Sequence, residues 1–140
     1  MATMPRAVNI PIGILGLEAA PEPPSKTYRL DLDAGRIVGT VDGVAAVEQA
    51  IRKAIITPRF RCLIYDSDYG SEIKDAILLK SANASLAAAL VPKLVQEALS
   101  PDPRVVRAYD FVTDPQPDHL NIAFRADTVF GETDIEGVII

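Results

Sequence analysis

Three carboxylates in one short segment are the first candidates for chemistry. Asp66, Asp68 and Glu72 lie close together along the chain, and two suitably placed carboxylates are enough for glycoside hydrolysis. A structural explanation competes with this one. Aspartate is common in turns because its side chain bonds nearby backbone groups, and a glutamate in the first turn of a helix is stabilised by the helix dipole. We favour the structural explanation and keep a small peptidoglycan hydrolase using these carboxylates as the alternative function.

Other side chains capable of catalysis or metal binding are few. The sequence has one histidine, His119, and one cysteine, Cys62, which lies in an apolar run. These two residues do not form the clusters that bind zinc, and the glycine motifs that bind nucleotide phosphates do not occur. We therefore predict no catalytic residue, no metal and no cofactor. A lone cysteine in such a run indicates a buried free thiol in a reducing compartment.

Two further motifs admit either a role in docking or packing within the chain. Thr57-Pro58-Arg59 places a rigid break and a guanidinium where a helix meets the next segment, and arginine there can bond helix-end carbonyls or a carboxylate. The segment Tyr65–Gly70 reads YDSDYG and puts two tyrosines, common in interfaces, on a predicted turn. Packing within the chain explains Thr57-Pro58-Arg59 better than docking does, and it explains the two tyrosines at least as well. The residues predicted from them to contact a partner are Thr57, Pro58, Arg59, Tyr65, Tyr69 and Gly70.

Composition restricts the classes of function. The 140 residues are 49% hydrophobic, which is sufficient for one core, and 14 basic against 19 acidic residues give a net charge of −5. An acidic chain is poorly suited to neutralising phosphates, so we predict no nucleic-acid partner. No apolar run reaches the roughly 18 to 20 residues that span a bilayer, so we predict no membrane partner.

The chain divides into an arm and a domain. Residues 1–27 end in the proline-rich Pro21–Ser25 and are predicted to form an extended docking arm, because proline-rich segments are semi-rigid. Residues 28–140 are predicted to form one α+β domain. Its expected architecture is a mostly antiparallel or mixed small sheet packed on two to three helices.

The first elements of the domain follow from periodicity and caps. Tyr28–Asp33 alternates and predicts a half-buried strand that returns through Arg36–Gly39. Asp42 is a good N-cap, and apolar residues from Val44 to Ile55 recur at spacings of three and four, which predicts an amphipathic helix. The helix should end near Ile56 because Pro58 disfavours helical geometry at the preceding residue.

The middle of the domain is predicted as a strand and two helices. The apolar Phe60–Tyr65 predicts a central strand, and a helix from Ser71 to about Leu79 follows. A longer helix runs from Ser81 or Asn83 to Leu99, with a kink or a division near Val91 because Pro92 lies inside it.

The last forty residues read as strands. Apolar residues alternate from Leu120 to Ala126, which is typical of a half-buried strand. The predicted segments are Arg104–Thr113, His119–Val129 and Thr133–Ile140. The chain ends on GVII, and this apolar strand either completes the domain's own sheet or adds to that of a neighbour. Val138, Ile139 and Ile140 are therefore included among the predicted partner contacts.

These residues carry a resemblance over about residues 27–113. The chain resembles the baseplate wedge proteins of contractile phage tails, historically labelled lysozyme-like, and is most similar to their branch in prophages and phage-derived bacteriocins of Gram-positive bacteria. The matching positions are Tyr28, Gly35 to Ile37, Asp42-Gly43, Gln49, Thr57, Arg59-Phe60, Ile64-Tyr65, Tyr69-Gly70 and Glu72-Ile73. Asp102 to Phe111 matches more weakly. Pro58 departs from the branch, which usually has an acidic residue there.

The resemblance implies a structural role. Members of this family initiate sheath polymerisation at the baseplate and are similar to the sheath protein's own strand-exchanging domain. The partners implied are the sheath protein, other wedge proteins and the central hub and tube, with multiple copies in a sixfold assembly. The implied location is the virion tail baseplate, assembled in the host cytoplasm. The predicted function is therefore that of a non-enzymatic sheath initiator.

Overall fold

A computed structural model describes residues 23–79 and 84–140 of the chain. Residues 1–22 of the predicted arm lie outside this description, as do residues 80–83, where the long helix was expected to begin. None of the helices in the described part is both long enough and apolar enough to cross a membrane.

The domain contains two antiparallel sheets and three helices, which confirms the predicted α+β class. The elements are β1 (Thr27–Asp31), β2 (Arg36–Val41), α1 (Gly43–Ile56), α2 (Ile73–Leu79), α3 (Ala84–Leu99), β3 (Val105–Pro115), β4 (Leu120–Thr128) and β5 (Gly131–Ile139). One sheet is the hairpin of β1 and β2, and the other has the order β3-β4-β5. Because α1 packs on β5 and α3 packs on β3, the core lies between the helices and the three-stranded sheet.

Helix α1 forms as the sequence predicts. The Asp42 carboxylate accepts a hydrogen bond from the Gly43 amide at 2.8 Å, which caps the first turn. Its apolar positions recur every three or four residues, so they form one face that is buried in the core. The helix ends at Ile56, and Thr57 before Pro58 is extended. The buried residues of α1 are Ala46, Val47, Ile51, Ala54 and Ile55.

Helix α3 is continuous through Pro92, so the expected division into two helices near Val91 is wrong. Val91 and Val95 are fully buried, and this anchored face accounts for the continuity, because tertiary packing offsets the backbone bond that a proline removes.

The three-stranded sheet confirms the predicted C-terminal strands. The burial of β4 alternates along its length, as expected when one face of a sheet covers the core. Strand β5 pairs with β4, and Leu120 and Ile140 exchange backbone hydrogen bonds of 2.8 and 3.1 Å. The chain therefore uses its last strand in its own sheet.

Two expectations about the first half of the domain are wrong. Phe60–Tyr65 is not a strand but a series of turns. Phe60 has a φ of 68°, which interrupts an extended path, and Leu63 and Ile64 are exposed instead of central. The strand that begins at Tyr28 is not half-buried along one face, because Tyr28 and Leu32 are both exposed.

Candidate assembly interface

The β1–β2 hairpin is the first candidate surface. Of its strand residues, only Val41 is buried, and the side chains of Tyr28, Leu32, Ile37 and Val38 are exposed, with Tyr28 at 65% and Ile37 at 60%. A two-stranded ribbon is only marginally stable by itself. Exposed apolar residues on such a ribbon are typical of an interaction surface.

One glutamine side chain attaches the hairpin to α1. The Leu30 amide donates to Oε1 of Gln49 at 2.8 Å, and Nε2 of Gln49 donates to the Tyr28 carbonyl at 2.8 Å. The amide group thus supplies one acceptor and one donor to β1, as a backbone neighbour would. This contact positions the hairpin on the helix.

The cap of α1 fixes the chain that enters β1. The Ser25 hydroxyl donates to the Asp42 carboxylate and accepts from the Gly43 amide at 3.1 Å. The Ser25 hydrogen bond, with a contribution from the Gly43 amide, holds the pKa of Asp42 below its usual value. Ser25 itself is buried, so the start of the hairpin is held at the N-terminus of α1.

An apolar groove of about 670 Å³ lies beneath the hairpin. Hairpin residues line it on one side, α1 lines it on another, and the prolines between α3 and β3 close it. Asp102 and Arg104 stand at its border, with an Nη2–Oδ2 distance of 2.7 Å. Partial burial opposes ionisation of Asp102, but hydrogen bonds from Arg104 outweigh it and lower the pKa of Asp102.

The junction loop, residues 57–71, is the second candidate surface. The Arg59 amide donates to the Ser71 carbonyl at 3.0 Å, and the Ser71 amide donates to the Thr57 carbonyl at 2.9 Å. Gly70 has a φ of 102°, and a Cβ there would lie 2.7 Å from the Thr57 carbonyl oxygen. Only glycine fits this position, so the base of the loop is closed and sterically defined.

The predicted contacts in this segment come together within the loop. Nε of Arg59 donates to the Ser67 carbonyl at 2.8 Å, and a second guanidinium nitrogen lies 3.9 Å from Asp68. The Tyr65 and Tyr69 rings have centroids 4.3 Å apart, and partial burial raises the pKa of Tyr69. Arg59 and the two tyrosines therefore stabilise the loop itself.

The tip of the junction loop consists of apolar residues that sequence reasoning placed inside the domain. Leu63 is fully exposed, Ile64 is 86% exposed and Phe60 is 65% exposed. Their β-forming residue types suggested a buried strand. Pro58 pairs with Ser71, and this pairing closes the loop at its base. No local sequence signal predicts it.

The terminal strand presents a single apolar side chain outward. Val138 is buried and Ile140 packs against the core, whereas Ile139 is exposed. This follows from the alternation of side chains along a strand.

The residues considered for catalysis lie outside the groove beneath the hairpin. Asp66 and Asp68 are exposed, Glu72 is half-buried, and none of them lines the groove beneath the hairpin. His119 contacts Asp118 at 2.5 Å beside a turn. Cys62 is half-buried, not buried as predicted, because it lies in the junction loop. Within the described ranges, no group of three or more potential metal ligands occurs.

Comparison with known proteins identifies two matches. The family model described as "Contractile injection system sheath initiator" matches residues 25–131. The phage-like element PBSX protein XkdS of Bacillus subtilis (strain 168) is 31% identical over 116 residues, which cover 82% of each chain. Both matches include the hairpin, α1 and the junction loop.

Proposed function

The chain belongs to the family of contractile injection system sheath initiators, and from this premise we propose that it starts the sheath by pairing strands with the first sheath ring. Membership confirms the resemblance drawn from the sequence, and with it a structural role in a contractile tail. The relative from a phage-like element of Bacillus subtilis supports the same setting.

The exposed hairpin is the observation that carries the proposed contact. Its apolar side chains are left uncovered within the described chain, and a ribbon of two strands has edges to which an extended segment can add. Strand addition combines main-chain hydrogen bonds with pockets for alternate side chains. The groove beneath the hairpin supplies apolar walls for such side chains.

The junction loop is the proposed contact with the baseplate wedge. Its closed base presents Leu63 and Ile64 outward, so an apolar tip is available to a partner with little ordering cost. In this proposal Thr57, Pro58, Arg59, Tyr65, Tyr69 and Gly70 form the base that holds the tip in position. Ile139, exposed between Val138 and Ile140, offers a smaller contact on β5.

The assembly proposed around these surfaces has sixfold symmetry. Several copies of the chain connect the sheath with other wedge proteins and with the central hub and tube, at the baseplate of the virion tail. Each copy needs at least two contact regions in that arrangement, and the hairpin and the exposed tip of the junction loop provide two.

We also propose that the chain is not an enzyme. Asp66 lies in a turn, where its backbone carbonyl accepts a hydrogen bond from the Tyr69 amide at 3.1 Å. Asp68 contacts Arg59. Glu72 directly precedes α2, and its backbone carbonyl accepts a hydrogen bond from the Ala76 amide at 2.9 Å. Replacing the three by amides should leave sheath assembly intact and remove no wall-degrading activity. Loss of such an activity would instead support the peptidoglycan hydrolase.

The decisive experiment tests the hairpin and the junction loop separately. Variants of the chain are supplied to cells that produce the particle without the native chain. I37S/V38S should enter the baseplate but give tails without a sheath, whereas L63S/I64S should fail to enter the baseplate. V106S/V112S, which changes two exposed valines of β3, is the matched control and should behave like the wild type. Electron cryomicroscopy of the native particle should locate the chain beneath the lowest sheath ring. Its absence from tails would contradict the proposal.

A further inference from the structure

The two edges of the hairpin are not equivalent. Tyr28 pairs with Thr40 and Leu30 with Ile37 across the ribbon. The Tyr28 carbonyl and the Leu30 amide both bond to Gln49, so the polar groups of these residues point away from β2. In an antiparallel ladder, such a pair points its backbone groups outward on both strands.

Gln49 occupies the outer edge of β1. Its amide bonds the same carbonyl and the same amide that an added strand would use, with both distances at 2.8 Å. A strand arriving at this edge would have to displace the glutamine side chain and break both hydrogen bonds. The β1 edge is therefore closed.

The outer edge of β2 is open. By the register, the backbone groups of Ile37 and Thr40 point away from β1, and the described residues outside the β1–β2 ladder make no hydrogen bond to either. The register shifts once between these two residues, at Val38-Gly39, where Gly39 has a φ of 128°. The flanking side chains of Ile37 and Val38 are exposed. Unpaired amides beside exposed apolar residues are a template for an additional strand.

The edges of the three-stranded sheet are interrupted as well. The register of β3 shifts between Tyr109 and Val112, next to Asp110 with a φ of 55°, and β5 contains Gly137 with a φ of 66°. The carbonyl of Glu136 on β5 already accepts from the Arg52 guanidinium at 2.5 Å. Bulges discourage pairing with another chain. The β1–β2 pair has one register shift and the β3–β4 pair has two, and the β5 edge differs from that of β2 in its bonded carbonyl.

We propose that the strand supplied by the sheath subunit adds to the outer edge of β2, and that Gln49 holds the β1 edge closed so that only one edge accepts it. This inference rests on the proposed sheath-initiating function and specifies its contact. The donor is an extended segment without proline at the bonded positions. Every second side chain of it is apolar, because one face of the hairpin opens on the groove lined by Ile37 and Leu30.

A pair of substitutions at Thr40 tests the edge directly. T40P removes the outward amide without removing a hydrogen bond between β1 and β2, whereas T40V keeps the amide and changes only the side chain. T40P should form about tenfold fewer sheathed particles than T40V, or fewer still, because it loses a hydrogen bond to the added strand and introduces a steric clash. Equal sheath formation by folded T40P and T40V would overturn the edge assignment.

Cross-linking keeps the test decisive even if T40P does not fold. A photoreactive phenylalanine analogue at Val38 on β2 should cross-link to the sheath protein, and the same analogue at Arg29 on β1 should not. Both positions are exposed and lie on opposite strands of the ribbon. Cross-linking from Arg29 but not from Val38 would overturn the proposal.

Gln49 provides the complementary variant. Q49A removes both hydrogen bonds to β1, so the analogue at Arg29 should now cross-link to the sheath protein or to a second copy. If cross-links from Arg29 do not increase in Q49A, Gln49 does not close the β1 edge.

The two levels of the proposal fail differently. If sheaths form normally in particles that lack the chain, and neither position cross-links, the sheath-initiating contact itself is wrong. If sheaths require the chain but cross-linking comes from Arg29, the function stands and the edge assignment is wrong.

Discussion

The hairpin and the three-stranded sheet are built from similar residues but serve opposite purposes. Burial alternates along β4, so that one face of its sheet covers the core, whereas β1 and β2 together bury only Val41. Sheets of at least three strands with a covered face are stable by themselves, and two-stranded ribbons are not. The comparison indicates that the larger sheet maintains the fold and the hairpin is a surface placed upon it.

The outward faces of the two sheets differ in chemistry. The larger sheet carries an ion pair, with Nε of Arg125 3.0 Å from Asp134, and a hydrogen bond from the Tyr109 hydroxyl to Asp127 at 3.1 Å. A hydrogen bond from Arg107 is the main cause that lowers the pKa of Asp127. Such a charged face is suited to water. The larger sheet exposes Val106 and Val112 among these charges, whereas the hairpin exposes Ile37 and Val38 beside an apolar groove, as expected of a surface that a partner covers.

Deleting residues 133–140 should break the larger sheet completely. The deletion removes Ile135 and Val138, both buried, and every backbone bond from β5 to β4 that lies beyond residue 132. We expect loss of cooperative thermal unfolding, measured by circular dichroism. I139S, at an exposed position of the same strand, is the control and should change stability by only about 0.5 kcal/mol. A truncated chain that still unfolds cooperatively would show that β5 is dispensable for folding.

An isoleucine in the larger sheet should contribute far more to the free energy of unfolding than an isoleucine in the hairpin. Ile122 is 1% exposed in β4 and Ile37 is 60% exposed in β2. I122A should lower the free energy of unfolding by about 2–5 kcal/mol, because it leaves a cavity, and I37A by about 0.5 kcal/mol or less. Urea unfolding measures both. Comparable losses would mean that the hairpin is part of the folding core.

Local sequence patterns sufficed for elements whose burial is periodic. The spacing from Val47 to Ile55 predicted α1, and the alternation from Leu120 to Ala126 predicted β4, since each pattern reports one buried face. The same reasoning failed for Phe60–Tyr65. An apolar run becomes a buried strand only if a neighbouring strand pairs with it. The pairing of Pro58 with Ser71 closes the loop at its base, so Phe60–Tyr65 has no partner strand among the described residues.

The candidate site was only partly predictable for the same reason. The sequence identified Arg59, Tyr65, Tyr69 and Gly70, whose residue types indicate turns and interfaces, and the structure brings them into one loop. The attachment of Gln49 to β1 joins residues about twenty positions apart. No periodicity encodes that contact, so the inequality of the hairpin edges becomes visible only in three dimensions.

The junction loop should be sensitive to a change that the hairpin turn tolerates better. Gly70 and Gly35 both have positive φ, but a Cβ at Gly70 meets backbone at 2.7 Å and one at Gly35 meets nothing within 4 Å. G35A should cost about 1–2 kcal/mol from backbone strain, and G70A should cost more because the clash adds to it. Thermal unfolding of both variants measures the difference. An equal cost would mean that the loop base relaxes freely around the methyl group.

The smallest expected effect concerns the ion pair that links the two regions. Arg104 bonds Asp102 and reaches the Pro24 carbonyl at 3.5 Å, which connects the segment between α3 and β3 to the chain entering the hairpin. The pKa of Asp102 is lowered from 3.8, so its ionised form stabilises the fold above that pH, and this contribution is lost as the pH falls through the lower folded-state pKa. D102N and R104Q should each reduce stability by about 1 kcal/mol at neutral pH. Both should also flatten the decline in the urea midpoint below about pH 4, and the double variant should lose little more than either single one, because the two residues act as a pair. Additive losses in that cycle would show that Asp102 and Arg104 contribute separately, and that the hairpin is held without their pairing.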